Sequence, residues 1–408
     1  MTRPGGGPSL AATFVTLGFA YGIWYSYSVF LVALLGEFGW SRSLVAGAFS
    51  VFVLVHGLAA APLGWLGDRL GPRRLTLAGG LVLAAGLGLA GMVDRPWQLY
   101  LSFGVLGGIG VAAAGWVPAV LLVQRWFPLR VGTALGITSA GIGAGILLMV
   151  PFAQWLIDRM GWRRALQIIG VAALGWILPA TFWLVREPPA GATRAGRRTG
   201  GEPVPAAVEV TLLAAAATRA FWLLAAAQGF AAFVNQMLLV HQVAYLVDHG
   251  VPALVAASVV SVVGIASVVG KAGGGWVSDL IGREVTYTLG MALVVTSIGA
   301  LGMQALQPGA AWAYVYGGLV GLGYAVTAPL MPAVISDLYR GRHFGAIFGA
   351  LQTMNAVGGA LGPWVAGRVF DATGSYRGAF LIAVVAAGIA TAALWIAAPR
   401  RGGRPRLQ

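Results

Sequence analysis

The chain has 408 residues, 58% of them hydrophobic and 9% charged, with a mean hydropathy of +0.82. A soluble globular domain carries about 25% charged residues, so that class is excluded, and the apolar stretches recurring along the whole length predict an all-α polytopic membrane protein. The lack of cysteine removes disulfides, thiolate chemistry and Cys-based metal sites.

The opening MTRPGGGPSL runs straight into a long span. It reads as a first transmembrane helix and not as a removable signal peptide. Twelve spans are predicted, over 10–36, 43–67, 74–94, 98–126, 130–157, 163–185, 215–247, 253–280, 284–304, 309–338, 343–371 and 375–398. Segment 186–214 is the long polar stretch, rich in Pro, Gly and Arg, and reads as a flexible linker. The expected organisation is an N-terminal six-helix bundle (1–190), a cytoplasmic linker (191–214) and a C-terminal six-helix bundle (215–408).

With both termini cytoplasmic, 18 Arg fall on the inner side, and Arg42, Arg95, Arg159, Arg163, Arg164, Arg368 and Arg377 on the outer. This positive-inside bias sets the orientation. The net charge of +14 therefore reflects topology and contact with an anionic lipid bilayer, and no nucleic-acid partner is expected.

The two halves resemble each other. GWLGDRLGPRR (64–74) matches GWVSDLIGREV (275–285), setting Asp68 opposite Asp279 and Gly71 opposite Gly282. RVGTALG (130–136) matches RHFGAIFG (342–349), and Asp158 matches Asp371. A repeated six-span unit is a signature of secondary transporters, with the site near the midplane between repeats.

GWLGDRLGPRR closely resembles the loop motif of the major facilitator superfamily, and the copy after span eight is similar to its usual second occurrence. The resemblance covers the whole chain. It implies two pseudo-symmetric six-helix bundles around a central cavity, working by alternating access. It also implies that Gly64, Asp68, Arg69, Gly71 and Arg73, with Asp279, Gly282 and Arg283 in the second copy, form a cytoplasmic gate. Read from the residues alone, the motif is a tight Gly turn with a carboxylate near cationic partners and a helix end.

A narrower likeness lies in GGIGVAAAGWVPAVLLVQRWFPLRVGTALGITSAGIGAG and FAYGIWYSYSVFLVAL. These segments resemble the monocarboxylate transporters and the oxalate/formate antiporters, whose span eight carries an Arg that binds the substrate carboxylate. Aligned on GGWVSD, Lys271 stands at or within a residue of that Arg. This sequence departs from the pattern at Ser267, where animal relatives have Asp, and at Tyr25, where they have Lys. Gln352 and Asn355 stand in span eleven, where oxalate-type relatives add a cation. The departures argue against the animal mechanism of proton coupling and against a dianionic substrate.

Lys271 is the one lysine beside 25 arginines. It lies eight residues before Asp279, about 12 Å along a helix, and none of the twelve acidic residues falls in the middle of a span. Carboxylate proton relays, oxygen-ligand cation sites and recognition of a cationic substrate are therefore not expected, and neither a metal nor a cofactor is required. At roughly 100° per residue, Gly264, Ser267, Gly275 and Ser278 share its stripe, which points to a cavity wall. The functional reading is an anion receptor. Snorkelling to the interface, or a neutral lysine bonded to a hydroxyl or backbone group, are the alternatives. Arg is always protonated, whereas a buried Lys can release its proton, so the same residue becomes a candidate proton carrier.

His56 and His241 are rival proton carriers, each equally readable as a helix–helix hydrogen-bond partner. Further pocket candidates are Tyr21, Tyr25 and Ser28 in span one, Asn235 and Gln236 in span seven, Tyr324 in span ten, and Gln352 and Asn355 in span eleven. The Trp residues read mostly as interface anchors.

The leading expectation is a monomeric inner-membrane carrier of small organic monoanions such as lactate or pyruvate, coupled to protons by symport. Carboxylate exchange, export of a drug-like compound, and a non-transporting sensor are the competing readings. An enzyme is not expected, given the lack of cysteine, an acid pair, a metal-spaced His cluster and a phosphate-binding Gly-Lys-Ser/Thr loop.

Overall fold

The computed structural model describes residues 6–127, 131–187, 210–307, 310–327, 330–339 and 344–397. Most of the predicted linker with Glu202 and Glu209, the start of RHFGAIFG and the basic carboxyl tail lie outside the described residues. Among the described residues there is no strand.

The first half comprises α1 (Gly6–Phe38), α2 (Arg42–Leu70), α3 (Pro72–Ala90) and α4 (Pro96–Trp126). A helical stretch from Val131 follows, broken at Gly161 (φ 81°) into α5 (131–160) and α6 (162–184). The second half holds α7 (Arg219–Asp248), α8 (Ala253–Ile281) and α9 (Arg283–Leu306). It continues with α10 (Ala310–Thr327, with Leu330–Leu338 beyond it), α11 (Phe344–Thr373) and α12 (Arg377–Ala397). The predicted spans thus recur as helices, with ends a few residues further out where loops are tight. The turns explain this. Ser41 caps α2 by accepting from the Leu44 N–H at 3.3 Å. Gly71 and Gly282, with φ of 88° and 101°, turn α2 into α3 and α8 into α9 in a conformation that disfavours a side chain.

The two bundles are pseudo-symmetric, and the repeat is visible at their tightest crossings. Within the first, Gly145 of α5 lies against the carbonyl of Gly18 in α1; within the second, Gly358 of α11 lies against the carbonyl of Gly229 in α7. Repeat-related positions make the same contact, and a β-carbon on either α5 or α11 would collide with the facing backbone.

Between the bundles run two seams. On one, α2 faces α11: Gly367 packs on Ser43, Gly359 on Val53, and Gly57 on Ala356. On the other, α5 faces α8: the Ser261 hydroxyl donates to the Leu147 carbonyl at 2.9 Å, Gly264 packs on Ile146, and Gly143 on Val268. Two turns further along the same helix faces, Gly64 and Gly349 on one seam and Gly136 and Gly275 on the other have nothing within 4 Å of where a β-carbon would stand. Both seams are therefore packed at one end and split at the other. The split opens toward the face that holds the Gly6 and Ala397 helix ends, called here the terminal face.

Candidate functional site

Lys271 lies one turn past Val268, which packs on Gly143 of α5, and one turn before Gly275, which faces open space. His56 lies beside Gly57, which packs on Ala356 of α11, and two turns before Gly64, which faces open space. The two sit on opposite walls at the apex of the cleft. Lys271 makes no salt bridge among the described residues. Its Nζ stands 6.0 Å from the ring centroid of Tyr324, a cation–π distance.

From Tyr324 an aromatic strip crosses between the bundles. Tyr324 faces Tyr25 of α1, and Tyr25 neighbours Tyr21 one turn away. Tyr21 stacks on Trp24 with ring centroids 5.7 Å apart, and the Trp24 indole meets the His56 imidazole edge-on at 4.9 Å. At the Trp24–His56 end two polar atoms are buried without a hydrogen-bond partner, Trp24 Nε1 and His56 Nε2; Asn235 Oδ1 on α7 is likewise unpaired. Leaving such a group unpaired costs about 1–3 kcal/mol, so the adjacent Trp24 and His56 nitrogens have hydrogen-bonding capacity for a further group.

The other expected site residues divide. Tyr25, Ser28 and Gln236 line a small cavity with Trp24 on the closed side of the apex; its volume of about 10 Å³ is that of one water. Ser28 and Ser267 turn their hydroxyls back onto their own helices, to the carbonyls of Tyr25 and Gly264. The small stripe around Lys271 is thus only in part a cavity wall: Gly264 packs on α5, Ser278 bonds the Gly275 carbonyl, and Gly275 faces open space. Gln352 accepts from Gln228 and ties α11 to α7, while Asn355 stands next to the Ala356 contact.

His241 is set apart from this group. Its Nε2 faces the Pro363 carbonyl and its Nδ1 the Tyr376 hydroxyl, both at 2.8 Å. A carbonyl only accepts, so Nε2 carries the proton and, in the neutral ring, Nδ1 accepts from Tyr376. Both nitrogens are satisfied in a helix–helix link.

That link belongs to a clamp between the bundles at the face opposite the termini. The Arg42 guanidinium meets the Asp248 carboxylate at 2.7 Å, donates to the Tyr376 hydroxyl at 2.7 Å, and lies 3.8 Å over the Phe370 ring. Asp371 accepts the backbone N–H groups of Arg42 and Ser43 at 2.8 and 2.9 Å, a carboxylate at a helix N-terminus. Its repeat mate Asp158 instead accepts from Gln154 in its own helix.

The Gly-rich loop residues lie on the terminal face. Arg125 reaches Asp68 at 3.7 Å and Glu187 at 3.8 Å. Arg73 donates to the carbonyls of Thr181 and Phe182, and Arg69 stacks on Trp65. In the second copy Arg283 bonds Asp337, while Asp279 is exposed. Among the described residues, these ion pairs stay within one bundle, and the charged bridges between bundles are at the opposite face.

Two features escaped the sequence reading. Trp24 reads from hydropathy as one more interface tryptophan, although its spacing from Tyr21 and Ser28 puts it on a shared helix face. Arg42 was counted only as a topological charge, because its partners are distant in sequence.

A family model described as the Major Facilitator Superfamily matches residues 13–320 and again 274–407. Among curated proteins, monocarboxylate transporter 3 of Rattus norvegicus is 31% identical over 405 residues, covering 93% of this chain and 78% of its own. Monocarboxylate transporter 13 of the same organism is 28% identical over 372 residues, covering 91% and 84%. Among solved structures, a bacterial homolog to the human lysosomal transporter Spinster, in an inward-facing and occupied conformation, aligns with a TM-score of 0.78. It is 17% identical and covers 97% of both chains.

Proposed function

The chain belongs to the Major Facilitator Superfamily, in its monocarboxylate-transporter branch, and we propose that it carries organic monoanions across the inner membrane by proton symport with alternating access. The observation that carries this reading is Lys271: a cation at the apex of the cleft with no counter-ion among the described residues. Lys271 is partly buried, and a carboxylate entering the apex supplies the counter-ion it lacks. Monocarboxylates of the lactate or pyruvate type fit its single charge. A lysine, unlike an arginine, can return across the membrane without its proton. Proton and anion occupancy are then linked through one residue, each favouring the other.

With the termini cytoplasmic, the clamp at Arg42 closes the outer face and the split seams open inward. The conformation corresponds to the inward-facing half of a transport cycle. The Gly-rich loops stand ready to form the cytoplasmic gate when the inner halves of α2, α5, α8 and α11 meet. His56, with its orphaned Nε2, is the second proton candidate; His241, with both nitrogens bonded, serves the outer clamp.

Counterflow of radiolabelled monocarboxylates in proteoliposomes tests the reading. Lys271→Gln should abolish counterflow while the protein remains monodisperse. Wild-type counterflow in this variant would refute Lys271 as the anion receptor.

A further inference from the structure

The apex has two polar ends, and only one of them is accounted for by a carboxylate. Lys271 stands where the α5–α8 seam opens, and Trp24 and His56 where the α2–α11 seam opens. From the Lys271 Nζ the Tyr324 ring centroid is already 6.0 Å away, with Tyr25, Tyr21 and Trp24 beyond it. A three-carbon acid spans roughly 4–5 Å by its bond lengths and reaches one end only. Between the ends lie Tyr324, Tyr25 and Tyr21, whose rings offer flat apolar faces. At the far end, Trp24 is 8% exposed with its indole N–H unpaired, and the facing imidazole has an unpaired Nε2.

We infer that the site takes an extended aromatic monocarboxylate bearing a hydroxyl at its far end: the carboxylate on Lys271, the ring along the tyrosines, and the hydroxyl between Trp24 and His56. An indole N–H only donates, and a neutral imidazole can present a bare nitrogen that accepts. The pair therefore complements a hydroxyl, which accepts from Trp24 Nε1–H and donates to His56 Nε2. An analogue without the hydroxyl leaves both nitrogens buried and unsatisfied, which is how a site rejects a ligand of nearly equal size. This inference rests on the anion-receptor role of Lys271 and adds the substrate class and the residues that select it.

The test is equilibrium binding to the purified full chain of 4-hydroxyphenylacetate, phenylacetate and lactate, by wild type, Trp24→Phe, His56→Phe and Lys271→Gln. Wild type should bind 4-hydroxyphenylacetate roughly tenfold or more tighter than phenylacetate, and lactate more weakly than either. Trp24→Phe and His56→Phe should lose the hydroxyl preference, binding 4-hydroxyphenylacetate and phenylacetate alike, a result that also reports a folded site. A wild type without that preference, lactate binding as tight as 4-hydroxyphenylacetate, or a preference intact in both aromatic variants would overturn the inference. Should an aromatic variant lose its fold, competition of 3-hydroxyphenylacetate against 4-hydroxyphenylacetate in wild type decides: equal affinity overturns the inference, and a weaker 3-isomer upholds it. The Lys271→Gln arm reads the underlying proposal separately. Loss of all three ligands upholds the anion receptor whatever the hydroxyl result, and undiminished binding removes it.

Discussion

Replacing Arg42 with Ala should release the outer face. Its guanidinium bonds Asp248 at 2.7 Å and Tyr376 at 2.7 Å and stacks 3.8 Å over Phe370. The Asp248 side chain is 33% exposed, so that ion pair is discounted to about 1 kcal/mol. The charge-assisted bond to Tyr376 contributes about 1.5 kcal/mol and the stacking about 0.5–1 kcal/mol. Together these bias the outer-closed conformation by about 3 kcal/mol, a roughly hundredfold shift in the open-to-closed ratio. The backbone bonds to Asp371 survive the substitution, so the helix start keeps its cap. Because the chain contains no cysteine, Arg95→Cys and Leu254→Cys can carry spin labels alone, on exposed positions near the outer ends of the two bundles. Pulsed electron paramagnetic resonance should record a single short distance in the parent. With Arg42→Ala, a longer distance should become populated. An unchanged distribution would refute the clamp.

Two further outcomes follow from close contacts. Gly358→Ala puts a methyl group against the Gly229 carbonyl and should destabilise the C-terminal bundle by about 1–3 kcal/mol, read as a lower midpoint in a detergent thermal melt; an unaltered midpoint would contradict the tight α7–α11 crossing. Ser267→Ala removes a hydroxyl that is fully buried and bonded to its own helix at 2.8 Å. Monocarboxylate affinity by calorimetry should therefore stay within about threefold of wild type, the bonded hydroxyl being worth at most about 0.5 kcal/mol to a ligand it does not face. A larger loss would return Ser267 to the anion site.

Much of the fold was legible because membrane spans write themselves in hydropathy. Apolar runs with Gly71 and Gly282 marked where helices start and turn, and the repeat of GWLGDRLGPRR in GWVSDLIGREV predicted two related bundles. Lys271 was legible as an oddity of composition. Side-chain direction was not. Periodicity sets Ser267 on the Lys271 stripe, but a serine hydroxyl in an apolar helix bonds the carbonyl a turn earlier, and that choice is local and invisible to spacing. Trp24 could be read as an anchor or a wall, and only its unpaired Nε1 beside His56 separates the two. Arg42 and Asp371 are 329 positions apart; nothing local in either joins them, and the seam that does so exists only once α2 lies along α11.

The most direct measurement is monocarboxylate transport by Lys271→Arg in proteoliposomes, with and without an imposed inward proton gradient. Arginine keeps the positive charge and cannot give up its proton. The variant should still exchange anion in counterflow but no longer be accelerated by the gradient. Gradient-driven accumulation equal to wild type would contradict Lys271 as the residue on which proton and anion meet.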